Sequence, residues 1–508
     1  MQDEVVPSNL IPSGKLPPLR FRDLPPPLPM WKMIGPSVIL AGLALGSGEY
    51  VLWPFITFKS QFVFFWACLI AVVTQYFLNL EIMRWTLATG ETTLIGLQRM
   101  SRLVAPVFLA LNIIPWMLPA WSQGCSQILG WLFVGPTYLD GGIVPGQYDN
   151  FISIFTLLMC GLILTSGPVI YERVEKVQLF LVASILIIVI ALALWLIWLR
   201  PDALAAQWTA VVTLGYPQML PKFDEALTPM TLLGALAFAG AGGTMNLAQA
   251  NYIKDKGYGM GVHIGRLTNP FTGNEEAVSE TGFHFPHTPE NMSRWRQWWR
   301  AACWEHFVSF LLTCIICLSL LTLISYIVFN DASGNPHPQH SHKEGLSFVW
   351  AEAVELGELI GPAAKIAFLV MGVAILFTTE FGVLDASSRI STDLVKVAWL
   401  RESSYWSEGR LYFWFLWGEI VLAIGILSLE YFDLKVGALA LFQLTAAMNG
   451  GVMFLYALLL FFMNYWRLPP DIRIPLWRLA ILGWTILFFG FFSAWAVYDG
   501  VLKIAAKF

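Results

Sequence analysis

Gly42-Leu-Ala-Leu-Gly46-Ser47-Gly48-Glu49-Tyr50 interrupts the first long apolar segment of this chain, and Gly234-Ala-Leu-Ala-Phe-Ala-Gly240-Ala-Gly242-Gly243-Thr244-Met245-Asn246 interrupts the sixth. A glycine in a helix interior costs about 1 kcal/mol relative to alanine. Clusters of glycine therefore mark places where a helix comes apart. Within a bilayer, broken backbone is tolerated only where it is buried in protein or lines a cavity. Two such breaks, five spans apart, are the mark of an inverted-repeat carrier, whose unwound backbone and half-helix ends form a site near the midplane. Small residues also serve close helix packing. A carboxylate directly after the first break, and Thr-Met-Asn after the second, favour the site.

Around these breaks the chain is built to cross a membrane. Of its 508 residues, 57% are hydrophobic and 13% charged, against about 25% charged in an average soluble domain. Apolar runs lie near 34–56, 61–85, 104–132, 151–170, 177–199, 229–252, 303–329, 362–384, 411–430, 436–463 and 478–502. Each approaches the roughly 20 residues needed to cross a hydrocarbon core. The fold class expected is all-α integral membrane, with about eleven transmembrane helices. The lipid bilayer is then an obligatory partner. The 23 tryptophans suit aromatic belts at the interfaces, and a net charge of -4 gives no footprint for nucleic acid. Cys68, Cys125, Cys160, Cys303, Cys314 and Cys317 all lie in or beside apolar runs, so no disulfide framework is expected. Residues 1–32 are Pro-rich and polar, with no cleavable signal, and are expected to form a disordered cytoplasmic tail.

Basic residues set the orientation. Lys and Arg gather on the side of the N-terminus, as at Arg20, Arg22, Arg99, Arg102, Arg173, Lys176, Arg294, Arg296 and Arg300. Lys59, Lys222, Lys343 and Lys435 fall on the other side. The bias predicts a multi-pass protein of the cell membrane with its N-terminus cytoplasmic and its C-terminus outside. The inner loop 257–300 ends in Arg294-Trp-Arg-Gln-Trp-Trp-Arg300, a composition suited to the headgroup surface. The outer loop carries His337, His340 and His342, which either collect a metal or are simply solvated.

Glu49, Glu81, Glu305, Glu380, Asp385 and Glu419 lie in or near the ends of apolar runs. A charge at mid-bilayer costs at least about 2.5 kcal/mol and needs a partner, a proton or a bound cation. Arg84 follows Glu81 at i+3 and Arg389 follows Asp385 at i+4, spacing that pairs them on a helix face. Glu305 and Glu419 lie near span ends, within reach of water. Glu49 and Glu380 are deep, with no basic residue one turn away. Glu49 is the expected ion ligand and Glu380 a coupling candidate. Gln443, in the tenth run, either completes the site or forms a helix–helix hydrogen bond.

In several stretches the sequence resembles the Nramp (natural resistance-associated macrophage protein) family of divalent metal transporters. Arg84-Trp-Thr-Leu-Ala-Thr89-Gly90 resembles the family's Arg-Leu-Gly-Ile-Val-Thr-Gly. Ile34-Gly35-Pro36 opens the first run as the family's Gly-Pro does, and Arg173-Val-Glu175 and Leu468-Pro469-Pro470 are similar to family loops. The departures are as informative. Where the family carries Asp-Pro-Gly-Asn, this chain has Gly46-Ser47-Gly48-Glu49, so the aspartate is lost. Where it carries Met-Pro-His-Asn-Leu, this chain has Gly243-Thr244-Met245-Asn246-Leu247. Two acids of the family's third helix fall at Gly124 and Gln127.

The resemblance implies a LeuT-type inverted repeat (5+5) with broken helices 1 and 6 and one extra C-terminal helix. Residues 33–200 would be the first repeat, 201–465 the second and 466–508 the eleventh helix and C-terminus. It implies a secondary-active transporter of a divalent metal cation (Mn, Fe or Mg type), coupled to H⁺ or Na⁺. Such a protein is not an enzyme and needs no resident cofactor. The implied substrate site comprises Leu43, Gly46, Ser47, Glu49, Gly240, Gly243, Thr244, Met245, Asn246 and Gln443, with Glu49, Asn246 and Gln443 as side-chain metal ligands. With the methionine displaced and a carboxylate kept, a harder, oxygen-rich site is expected. A Na⁺- or H⁺-coupled symporter of a small organic solute, such as an amino acid, fits the same scaffold.

Overall fold

Helix is the structure in which one segment satisfies its own backbone groups, and the apolar runs adopt it throughout. The computed structural model describes residues 4–46, 48–139, 142–144, 146–215, 227–271, 282–337, 345–429 and 437–505. Its helices are α1 (Met30–Met33), α2 (Pro36–Ala44), α3 (Trp53–Ser60), α4 (Phe65–Thr89), α5 (Thr93–Met100), α6 (Val104–Trp116), α7 (Ala120–Phe133), α8 (Asp149–Leu164), α9 (Ile170–Leu199) and α10 (Pro201–Val212). They continue with α11 (Pro229–Ala237), α12 (Gly243–Lys256), α13 (Pro289–His306), α14 (Thr313–Phe329), α15 (Ser347–Leu359), α16 (Pro362–Ala398), α17 (Glu408–Ser428), α18 (Ala438–Trp466) and α19 (Leu476–Ala505). A strand β1 (Arg20–Phe21) pairs in parallel with β4 (Phe283–His284), and β2 (Thr137–Leu139) pairs antiparallel with β3 (Gly142–Val144).

Among the described residues, nine helical stretches are long and apolar enough to cross a membrane. The other two expected spans correspond to the 16-residue α8 and to the broken pair α11 and α12. The core is organised on α16, 37 residues long, which packs against α2, α6, α7, α9, α12 and α17. The first span is broken between α2 and α3. A π-helical turn, Gly48–Leu52, follows the break and leads directly into α3. The sixth is broken between Ala237 and Gly243, where Gly242 and Gly243 take positive φ of 69° and 54°.

Breaking a helix frees carbonyls and amides that no water can reach here. A glutamine on α4 takes up most of them. Gln75 Nε2 donates to the carbonyls of Ala237 (2.8 Å) and Leu236 (3.2 Å), and its Oε1 accepts from the Gly242 amide (3.3 Å). Trp53 Nε1 donates to the Ala235 carbonyl (2.8 Å), and Asn449 Oδ1 accepts from the Thr244 amide (3.4 Å).

Several expectations are corrected. Residues 4–32 are not a disordered tail. Val6, Ile11, Leu19 and Leu24 are buried, and Arg99 Nη1 donates to the carbonyls of Ser13 (3.0 Å) and Pro17 (2.7 Å). Prolines leave the backbone extended with its carbonyls free, so a polar composition concealed a segment that Arg99 and sparse apolar residues fix in place. The third span is also broken, at Trp116–Ala120, with Pro115 and Pro119 flanking the gap. The basic-aromatic run, expected as the end of the loop 257–300, is helical. It forms the middle of α13, with Trp295 and Trp298 buried and Trp298 Nε1 donating to the Pro25 carbonyl (2.8 Å). The paired charges do form: Arg84 meets Glu81 at 2.6 Å and Arg389 meets Asp385 at 2.9 Å. Arg389 also pairs with Asp255 of α12, 134 residues away, which spacing could not show. His340 and His342 lie outside the described residues.

Gln75→Leu keeps the side-chain volume and removes the partners of three buried backbone groups. At about 1–3 kcal/mol for each unsatisfied group, the purified protein should unfold at a temperature several degrees lower. An unchanged midpoint would show that Gln75 is not what holds the sixth-span break.

Candidate functional site at the crossing of the broken helices

The two breaks touch. A methyl group placed on Gly48 would lie 1.7 Å from the Phe238 carbonyl oxygen, so only glycine permits this approach. A methyl on Gly243 would lie 1.7 Å from Asn449 Oδ1, and one on Gly46 would lie 2.5 Å from Thr379 Oγ1. The glycines are thus used for contact between elements as well as for turning the chain.

Beside the crossing is a small cavity. The first span contributes Leu43, Ala44 and Gly48; the sixth contributes Phe238, Gly240, Ala241 and Met245. Trp116 and Trp121, from either side of the third-span break, and Thr379 and Val383 of α16 complete it. Its free volume is ≈ 10 Å³, room for about one water-sized sphere. The aromatic wall is tightly made. Trp116 stacks on Phe238 at 5.9 Å between centroids, Trp121 lies 5.4 Å from Trp116, and Phe442 packs edge-on to Trp121.

The sequence-predicted residues divide around this cavity. Leu43, Gly240 and Met245 line it together, and Gly46 adjoins it against Thr379. Thr244 stands behind Trp116: its Oγ1 accepts from Trp116 Nε1 (2.7 Å) and donates to Asn112 Oδ1 (2.8 Å). Asn246 Nδ2 donates to Tyr456 (3.0 Å) and to Gln75 Oε1 (3.3 Å), while its Oδ1 has no partner among the described residues. Gly243 closes against Asn449. Ser47 lies outside the described residues.

Glu49 is fully buried but is not part of the cavity lining. Among the described residues, its carboxylate accepts no hydrogen bond from nitrogen or oxygen. Its polar neighbours are thiols: Cys314 is adjacent, with Cys317 on the same helix and Cys68 on α4. Gln443 is half-buried on α18, where its carbonyl packs near Gly234, and it too is absent from the lining. Glu380 accepts from the Ser122 amide (3.1 Å) in the first turn of α7. A carboxylate is favoured there by the free N–H groups of a helix start. Among the described residues, no group of three or more His, Cys, Asp or Glu is arranged to hold a metal ion.

Trp116, Trp121, Phe238 and Thr379 were not singled out from the sequence. The signal for the tryptophans was present in Pro115 and Pro119, which mark a break next to them. Nothing local distinguishes Phe238 or Thr379, which the crossing alone recruits.

With this geometry in place, comparison with solved structures is informative. Crystal structures of two single-residue mutants of the Eremococcus coleocola manganese transporter superpose with TM-scores of 0.62 and 0.63, at 12% identity, over 96% of this chain and 90% of theirs. The same transporter bound to an aromatic bis-isothiourea compound gives 0.61 at 13% identity, with the same coverage. No family model and no curated protein matches the sequence. The chain therefore shares the fold of that transporter, the LeuT-type architecture expected from the sequence.

Gly48→Ala tests the crossing. The added methyl cannot coexist with the Phe238 carbonyl, so the helices must separate. The variant should be lost as a monodisperse peak on size-exclusion chromatography or, if folded, should unfold at a temperature several degrees lower. Wild-type behaviour in both assays would show that the breaks do not meet.

Proposed function

We propose that this chain is a secondary-active transporter that carries a divalent metal cation across a cell membrane by alternating access at the crossing of its broken helices. The observation that carries the reading is the cavity between the breaks, with free volume of ≈ 10 Å³. Pockets that enclose organic ligands run to about 300–1,000 Å³, whereas this one suits a single dehydrated ion. Unwound backbone near Leu43 and Gly240 supplies carbonyl oxygens, and Met245 on the lining supplies a thioether. That softer donor favours Mn²⁺ or Fe²⁺ over Mg²⁺ and Ca²⁺, a change from the harder site expected from the sequence. The likeness to a manganese transporter supports the fold on which such a site is built.

In this reading Trp116 and Trp121 close the cavity on the third-span side and exclude water while the ion is held. Thr244 and Asn246 orient the sixth-span break through Asn112, Gln75 and Tyr456. Glu49 supplies negative charge at the first break, and Glu380 is the group for a coupling H⁺ or Na⁺. The basic residues of the N-terminal face set it toward the cytoplasm.

The test is uptake into liposomes of purified protein, with trapped dyes for Mn²⁺, Mg²⁺ and Ca²⁺. Mn²⁺ should enter fastest. Met245→Ala should reduce Mn²⁺ uptake about tenfold and spare the slow Mg²⁺ flux, as expected for loss of a soft ligand. Glu49→Gln should abolish uptake. No influx of any of the three, in protein shown to be folded, would reject a metal carrier and favour an organic-solute symporter on this scaffold.

A further inference from the structure

The short strand β4 ends at His284, and His287 follows three residues later, on the N-terminal face of the protein and outside the membrane-spanning helices. His284 Nδ1 lies 3.0 Å from the Ala88 carbonyl oxygen, in the last turn of α4. A carbonyl only accepts, so Nδ1 carries the hydrogen and Nε2 keeps its lone pair. His287 Nδ1 lies 3.4 Å from Asp471 Oδ2, with the carboxylate behind the ring as the Ala88 carbonyl is behind that of His284. The two Nε2 atoms are 3.1 Å apart. At that distance either His287 donates to the His284 lone pair or both lone pairs face a shared cation.

The arrangement matches a metal centre in both of its layers. Two imidazoles bound tetrahedrally to one Zn²⁺ at about 2.0–2.1 Å place their nitrogens roughly 3.3 Å apart. In such centres the second ring nitrogen donates to a carbonyl or a carboxylate, which fixes tautomer and orientation. Ala88 and Asp471 stand in those two positions. We propose that His284 and His287 bind a divalent transition cation, of the class of Zn²⁺, Ni²⁺ or Cu²⁺, through their Nε2 atoms, with water completing the shell.

The site is separate from the cavity at the helix breaks, whose lining contains no imidazole. Imidazole ligands select against Mg²⁺ and Ca²⁺. The ion arrives from solvent, since the side chain of His287 is 19% exposed and that of Asp471 66%. Occupancy would fasten three distant parts of the chain. These are β4, which pairs with β1 near the N-terminus, the end of α4, and the loop that leads into α19. A hydrogen bond from one imidazole to the other would account for the same distance without a metal.

The experiment uses the full chain in detergent, with His337, His340 and His342 replaced by alanine to remove the outer histidines. Zn²⁺ is titrated against a chromophoric chelator, and a Cu²⁺ adduct is examined by pulsed electron paramagnetic resonance for coupled imidazole nitrogens. The expected result is one Zn²⁺ site and two coupled imidazoles. His287→Gln, at the more exposed position, should abolish that site and leave fewer than two imidazoles coupled. Asp471→Asn should weaken binding about 10–100-fold, the usual effect of losing the group that orients a ligand. His284→Gln should behave as His287→Gln does, and if it fails to fold the other two variants decide. Absence of Zn²⁺ binding, or binding that His287→Gln leaves unchanged, would overturn the proposal and leave the hydrogen bond between the imidazoles as the reason the two nitrogens face each other.

Discussion

Every broken helix in this protein must find hydrogen-bond partners for backbone that neither water nor a neighbouring turn can satisfy. In hydrocarbon each unsatisfied group costs several kcal/mol, so the partners decide whether the break can exist. Gln75 is the central one. From the middle of α4 it supplies two donated bonds and one accepted bond to the sixth-span break, and it also accepts from Asn246. Trp53 and Asn449 add one bond each. The third-span break is met by Glu380, which accepts from the first turn of α7. Two interruptions, in the sixth and third spans, are thus held by four polar side chains drawn from three other helices and from the first span.

Once the breaks are held, their geometry follows from steric contact. Gly48 meets the Phe238 carbonyl, and no larger residue fits. That contact leaves two unlike faces around the first break. One opens on the cavity, where backbone, Met245 and Thr379 face a wall of indole and phenyl rings. The other turns Glu49 toward the thiols of α4 and α14. Adjacent residues, Gly48 and Glu49, therefore serve different surroundings.

The N-terminal face is built by a different principle. There, charged and polar side chains bind backbone from distant segments. Arg99 fixes the extended N-terminal residues, Arg84 reaches the Ile472 carbonyl and stacks over Trp299, and Arg389 joins α16 to α12. The paired strands β1 and β4 belong to the same system. This face is more ordered than a loop-and-tail reading of its composition implies, because arginine supplies several donors in fixed geometry to carbonyls that proline-rich chain leaves free.

The resemblance to the Nramp family pointed to Leu43, Gly240 and Met245, which line the cavity, while the sequence by itself determined the membrane class, the positions of the two glycine breaks, and the i+3 and i+4 charge pairs. These are legible because hydropathy, glycine clustering and helical spacing are local properties of the chain. The third-span break was also encoded locally, in Pro115 and Pro119, but lay inside an apolar run long enough to hide it. Only the tertiary structure decided that Glu49 faces thiols while its neighbour faces the cavity, that Gln75 holds the sixth-span break, and that Thr379, Phe238 and two tryptophans enclose the space between. It alone brought His284 against His287 with Ala88 and Asp471 behind them. Each of these depends on which face of one helix meets which face of another. A rotation of 100° per residue changes that assignment completely without altering the pattern of apolar and polar residues along the chain.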